Sequence, residues 1–326
     1  MRLSRRKFLH AAAGAAVCSG FAHVASASDY PTRPVHLIIG YPPGGSADLT
    51  ARLTGQWLSD RLGQQFIVES RPGAATNIAT ESVLRAAPDG YTLLLAAPAN
   101  ATNVALSAQL NFDFMRDITP VAGIIRFPDV VDVNLSVPVH TIPELISYAK
   151  ANPGKLKWGS QGFGTAPHLL AEMFRLDAGL NVIHVPYRGT GPLLNAILAG
   201  EVQIIADPST TSLPYIQDNK LRPIAIAGNV RDPKLPNVPT VVEAGFPKLQ
   251  APFWLAVVAP AGTPRDIVAK LNNAFRQALN APETRTRLDA LGAEVKIGTP
   301  EDLDKMLASE RGQWTAVVKA ANIKVE

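Results

Sequence analysis

Short apolar runs and longer amphipathic stretches alternate along this chain. Val35-His36-Leu37-Ile38-Ile39 is largely apolar and β-branched, and it ends in Gly40-Tyr41-Pro42-Pro43-Gly44-Gly45. From Ser46 the apolar positions Leu49, Leu53, Trp57, Leu58 and Leu62 recur at helical spacing until Gly63, a helix stop. Phe66-Ile67-Val68 predicts a second strand, and residues 77–87 predict a helix closed by the turn signal Pro88-Asp89-Gly90. Tyr91-Thr92-Leu93-Leu94-Leu95 is a nearly continuous apolar run, the pattern of a strand covered on both faces in a parallel sheet. Such alternation predicts βαβ units and an α/β fold.

The middle of the chain repeats the scheme. Strands predicted at 156–160, 182–185, 202–206 and 223–227 accompany helices at 166–178 and 192–199. A further apolar strand, Phe253-Trp254-Leu255-Ala256-Val257-Val258, precedes two helices at 264–279 and 300–320. A length of 326 residues fits two domains. Crossovers near 124–133 and 249–258 give a first α/β domain of 28–128 plus 253–326, completed by the C-terminal helices, and a second of 129–252. Thr141-Ile142-Pro143-Glu144, Thr263-Pro264-Arg265-Asp266 and Thr299-Pro300-Glu301-Asp302 each set a hydroxyl three residues before an acid, the signature of a capped helix start.

Composition narrows the function classes. With 47% hydrophobic and 18% charged residues the chain has material for a core, and disorder is excluded. The net charge of +4 is local: Arg2, Arg5, Arg6 and Lys7 precede the first acid, Asp29, and without them 27 basic residues face 27 acidic ones. Nucleic-acid binding thereby loses its support. Those basic residues, the apolar stretch Phe8 to Phe21 and the small residues Ala25-Ser26-Ala27 make 1–27 a secretory signal. Ser4-Arg5-Arg6-Lys7-Phe8-Leu9 resembles the twin-arginine export signature, which is preferred here to an ordinary Sec signal. Cys18, the single cysteine, lies inside this segment and reads as part of its apolar stretch rather than as a lipid acceptor. The mature chain then has no disulfide, thiol nucleophile or Cys-based zinc site. No later stretch is apolar for long enough to span a bilayer, so a soluble periplasmic product is expected.

Three loops rich in Gly or Pro, at 41–48, 159–168 and 185–192, follow predicted strands and run into helices. Glycines let the backbone approach a ligand, and amides at a helix N-terminus favour an anion. One such loop is an ordinary βα turn; three of the same kind point to an anion site. The candidates are Pro43, Gly44, Gly45, Ala47 and Asp48 in the first loop, Ser160, Gly162, Gly164, Thr165 and His168 in the second, and Tyr187 and Arg188 in the third. Asp48 is preferred as a brace for its loop, and Arg188 either pairs with an anionic ligand or is solvated. Asp207 ends a strand, where ligands bind in open α/β sheets, or else it caps the next segment. His36 and His184 lie in strands and read as core residues, whereas His168 opens a helix beside a Gly-rich loop. Catalytic templates fit poorly: there is no P-loop, no His-Glu-x-x-His, no third glycine after Gly162-Phe163-Gly164, and Ser160 lies outside Gly-x-Ser-x-Gly. No metal or cofactor is expected.

Several segments, in order, resemble the solute-binding proteins of tripartite tricarboxylate transporters, the Bug family. They are Pro43-Gly44-Gly45-Ser46-Ala47-Asp48, Pro88-Asp89-Gly90-Tyr91-Thr92, and Ser160-Gln161-Gly162-Phe163-Gly164-Thr165 with His168-Leu169. Val185-Pro186-Tyr187-Arg188-Gly189, Lys220-Leu221-Arg222, and Val238-Pro239-Thr240 with Glu243-Ala244-Gly245 complete the set. The resemblance runs from Tyr30-Pro31-Thr32-Arg33-Pro34 to the last helix. It implies a two-lobed periplasmic binding fold, type II-like, that closes on a small organic carboxylate held mainly by amides, hydroxyls and waters. It also implies a monomer that passes its ligand to membrane permease subunits or to a sensor. The chain departs from the pattern at Ala75 and Thr76, where the family has glycines, so Thr76 either offers its hydroxyl to ligand or tightens the loop. Asn219 also replaces a glycine, and the 97–103 segment, with the candidate Asn100, lacks the family's hydroxyl-rich pattern. An exported α/β enzyme acting on a small carboxylate, with His168 or Asp207 as acid or base, is the competing reading.

Overall fold

In the computed structural model, which describes residues 29–106, 110–251, 253–321 and 323, the predicted alternation becomes two sheets. The signal segment 1–27, with Cys18, lies outside the described residues. In the first sheet β1 (Val35–Ile39) runs parallel to β2 (Phe66–Ser70) and β3 (Thr92–Ala96), linked by α1 (Ser46–Leu62) and α2 (Asn77–Leu84). After α3 (Pro98–Leu106) and the short α4 (Phe114–Asp117), β4 (Ile118–Phe127) ends the first pass through this sheet. Only one residue separates β4 from β5 (Asp129–Asn134), which belongs to the second sheet. There β6 (Lys157–Ser160) pairs in parallel with β7 (Ile183–Pro186) and β8 (Ile204–Pro208), while β5 lies antiparallel to β8 and β9 (Leu221–Ile226). Helices α5 (Ile142–Ala151), α6 (Ala166–Ala178), α7 (Thr190–Leu198) and α8 (Ser209–Gln217) surround it. The chain returns through β10 (Phe253–Pro260), antiparallel to β3 and β4, and finishes with α9 (Arg265–Asn280), α10 (Pro282–Ala290), β11 (Glu294–Val295) and α11 (Pro300–Ala321).

The apolar strands explain the layering. Leu37, Leu93, Leu95 and Val257 are buried with Leu271 and Phe275 of α9, while Ile38, Leu94, Trp254 and Val258 are buried on the other side with Phe114, Leu303 and Leu307. In the second sheet Val131 and Ile204 pack with Trp158, Leu169 and Phe174, and Ile205 packs with Leu193 and Ile197. Each sheet and its helices thus make a lobe with its own core.

Three details differ from the sequence reading. Helix α11 does not belong to the first lobe alone: Leu303 and Leu307 sit in its core, while Trp314 and Val318 sit with Trp158 and Phe174 in the second. Thr263 is not a cap, because its hydroxyl donates to the Pro260 carbonyl and Pro264 takes the cap position. Thr141 and Thr299 do cap, each accepting an amide from the acid three residues on, and each acid accepts an amide in return. His36 is half-exposed rather than core, because its ring is hydrogen-bonded to Glu69 on the neighbouring strand.

Candidate ligand-binding site

The loops after β1 and β3 face the loops after β6 and β7, and between them lies a cavity of about 400 Å³. That volume suits a small molecule. Residues 41–47 and Pro98-Ala99 form one wall; Gln161, Thr165–Pro167 and Arg188–Pro192 form the other. Tyr41, Phe253, Leu194, Pro208 and Thr211 complete the lining, and the Tyr41 and Phe253 ring centroids are 6.3 Å apart. The lobes touch across the cleft. Thr102 donates its hydroxyl to the Gly164 carbonyl at 2.6 Å, and a Cβ on Gly189 would lie 3.7 Å from Pro42.

Four helices begin at this cavity without a side-chain cap. They are α1 after Gly45, α6 after Thr165, α7 after Gly189 and α8 after Pro208. The first-turn amides of a helix have no partner within it, and here Ser46, Ala47, Ala166, Thr190 and Gly191 carry them in the cavity wall. The positive ends of four helix dipoles therefore meet in one space. Gly44 adopts φ +86° with nothing near its absent Cβ, so backbone conformation alone calls for glycine there. Arg188 is the one charged residue in the wall, and it has no ion pair among the described residues.

Of the residues expected at the site, Pro43, Gly44, Gly45, Ala47, Thr165 and Arg188 line the cavity. The others lie behind it as scaffolding. Asp48 accepts from the Gly44 amide at 3.0 Å and from Arg52 Nε at 2.9 Å. Burial pushes its pKa up, but those hydrogen bonds outweigh burial and hold it below the usual carboxylate range. Asn100 is buried, accepting from the Ala97 amide and donating to Thr80. Tyr187 turns towards Glu201, and burial and that carboxylate raise its pKa. Thr76 is buried, its hydroxyl without a partner among the described residues, packs against Gly40, and does not line the cavity.

Ser160, Gly162, Gly164, His168 and His184 form one knot. His168 Nδ1 accepts from the Gly164 amide at 3.0 Å, and its ring stacks on His184 with centroids 4.1 Å apart. His184 Nε2 is 2.7 Å from Ser160 Oγ, which is also within reach of both the Gly162 amide and carbonyl. All four contacts are satisfied when His184 donates and Ser160 passes its own proton to the Gly162 carbonyl. Burial lowers the pKa of His168 to about 4 and, with its neighbour, that of His184 to about 3. Both rings are then neutral at pH 7, and the one basic nitrogen of His168 is already engaged. Asp207 is fully buried, accepting from Gln161, Thr190 and Thr211, three residues of the wall. Burial raises its pKa to about 7, against the hydrogen bonds that lower it.

Some of the residues that sequence reasoning missed come from long range. Phe253, Pro208 and Thr211 enter the wall because β10 begins and β8 ends there, and no local motif marks them. Gln161, Thr190 and Gly191 sat in the recognised loops but were not singled out.

A two-lobed α/β architecture with an anion-friendly cleft defines a class, the extracytoplasmic solute-binding proteins. The model of the tripartite tricarboxylate transporter family receptor matches residues 50–323, and the chain belongs to that family. It is similar to protein BugT of Bordetella pertussis, at 34% identity over 310 residues, covering 94% of this chain and 95% of that one. Among solved structures it resembles R. palustris Rpa4515 with adipate, with a TM-score of 0.84 and 35% identity over 90% of this chain and 99% of the other. MatC of Rhodopseudomonas palustris with bound malate gives a TM-score of 0.81 and 34% identity over 89% and 100%. The chain is accordingly a ligand-binding receptor and not an enzyme. Among the described residues no helix is long and apolar enough to cross a membrane.

Proposed function

We propose that this receptor works in the periplasm, captures a small organic carboxylate between its lobes, and delivers it to membrane permease subunits of a tripartite transporter. The observation that carries the reading is the convergence of four helix N-termini without side-chain caps and of Arg188 on one cavity. Fixed amide dipoles stabilise a carboxylate without requiring a strongly basic protein. The relatives with adipate and malate support the chemistry. The lobe of β1–β4 and β10 would move against the lobe of β5–β9, hinged where β4 passes to β5 and the chain returns to β10, with α11 seated in both cores.

Calorimetry and thermal shifts of the mature chain against mono-, di- and tricarboxylates test this. At least one acid should bind with one-to-one stoichiometry, and at 100 times its Kd it should stabilise the protein by about 2.7 kcal/mol. Arg188→Gln should weaken that ligand by about 1.5–3 kcal/mol, the range for a hydrogen bond to a charged group. Binding of neutral solutes alone would overturn the reading.

A further inference from the structure

Three threonines enter the cavity wall, and each hydroxyl has one proton to donate. Thr165 donates to the Gly162 carbonyl at 2.8 Å, and Thr190 to Asp207 Oδ1 at 3.4 Å. Thr211 has two acceptors, Asp207 Oδ2 and, at 2.8 Å, the Pro208 carbonyl. All of these acceptors belong to the protein. Gln161 likewise directs an amide N–H to Asp207 Oδ1, and no protein donor meets its Oε1 among the described residues. Protonating Asp207 changes none of this. A proton on Oδ2 is donated to Thr211, whose own then turns to Pro208, and Oδ1 still accepts from Gln161 and Thr190. Towards the cavity, the three hydroxyl oxygens and the Gln161 amide oxygen therefore act as acceptors. Donors for a carboxylate come instead from the first-turn amides, Arg188, and the hydroxyls of Ser46 and Tyr41.

We infer that the solute carries, besides its carboxylate, a hydrogen-bond-donating substituent, a hydroxyl or an amine, received by the oxygens of Gln161, Thr190 and Thr211 around Asp207. This rests on the carboxylate reading proposed above and narrows it. Water donates to these oxygens when no solute is present. A solute that expels that water without a donor of its own leaves them unpaired, which costs more than a hydrogen bond gains. A hydroxyl or amine in the same place restores the bonds. Asp207 is a positioning residue here: fully buried behind the wall, it sets the way its three neighbours face.

Substituted short acids decide the matter: butanoate against its hydroxy and amino derivatives, and succinate against malate, titrated calorimetrically into the mature chain. At least one derivative should bind about ten-fold tighter than its parent, the effect of a hydrogen bond made where an acceptor would otherwise stay unpaired. The oxo acid of the same skeleton offers only an acceptor and should bind no tighter than the parent. Gln161→Met or Thr190→Val should shrink the derivative's advantage several-fold; an advantage untouched by both would overturn the inference. If neither variant folds, as read by circular dichroism, the comparison on the unaltered protein decides alone. Parents or oxo acids binding as tightly as the derivatives would overturn the inference and leave the carboxylate reading intact. Failure of every acid in the set would also overturn the inference, and the wider panel above would then show whether any carboxylate binds.

Discussion

Ala74, Ala75 and Thr76 adopt φ of 45, 49 and 75°, a left-handed run without glycine. Left-handed backbone costs a residue with a Cβ about 1–2 kcal/mol, and the family's glycines would avoid that cost. Ala75→Gly should raise stability by about 0.5–1 kcal/mol, once the extra freedom of the unfolded chain is set against it; urea unfolding measures the difference. Asp132 offers a second test. Burial, and then the charge of Asp207, raise its pKa to about 8. The folded protein therefore keeps a proton that the unfolded chain releases near pH 4. That contribution is whole below about pH 4 and is lost as pH rises through about 8. Asp132→Asn should raise the Tm at pH 8, with the gain vanishing towards pH 4 in calorimetric scans. Residue type alone pointed to Ser160, His168 and Asn100, and the structure spends their polar atoms on holding loops. Sequence reveals which side chains can bind, but only the fold shows which polar atoms are already occupied.

Helix starts were the most legible elements, because a cap is a contact between residues three apart. Thr141→Ala should cost about 1 kcal/mol of stability in denaturant titration, as the loss of an N-cap does. The parallel strands were legible for a related reason: Leu93, Leu94 and Leu95 are apolar on both faces and are buried on both. Strand β4 was not, since Thr119, Pro120, Gly123 and Arg126 break its apolar run and its pairing with β10 shifts register twice. Non-local pairing holds it, and no window of sequence contains that information. The same holds for α11, whose register reads as one amphipathic helix while its two halves serve different cores. Trp314→Ala should cost about 3–5 kcal/mol by emptying a fully buried site, seen as a lower Tm with the far-ultraviolet spectrum retained at low temperature.

On the scale of the whole molecule, the Thr102–Gly164 hydrogen bond joins the lobes beside the cleft. Thr102→Val should leave each lobe folded and speed ligand release about five-fold, the worth of a hydrogen bond near 1 kcal/mol, in stopped-flow dissociation. The strand passages at β4–β5 and β9–β10 are not the only ties between the lobes. Helix α11 has 22 residues, about 33 Å of rigid rod, with one seat in each core. A third tie restricts the arrangements that two bodies on a pair of strands can sample. An opened cleft then has fewer shapes to give up when a solute arrives, and less of the contact energy is lost to ordering.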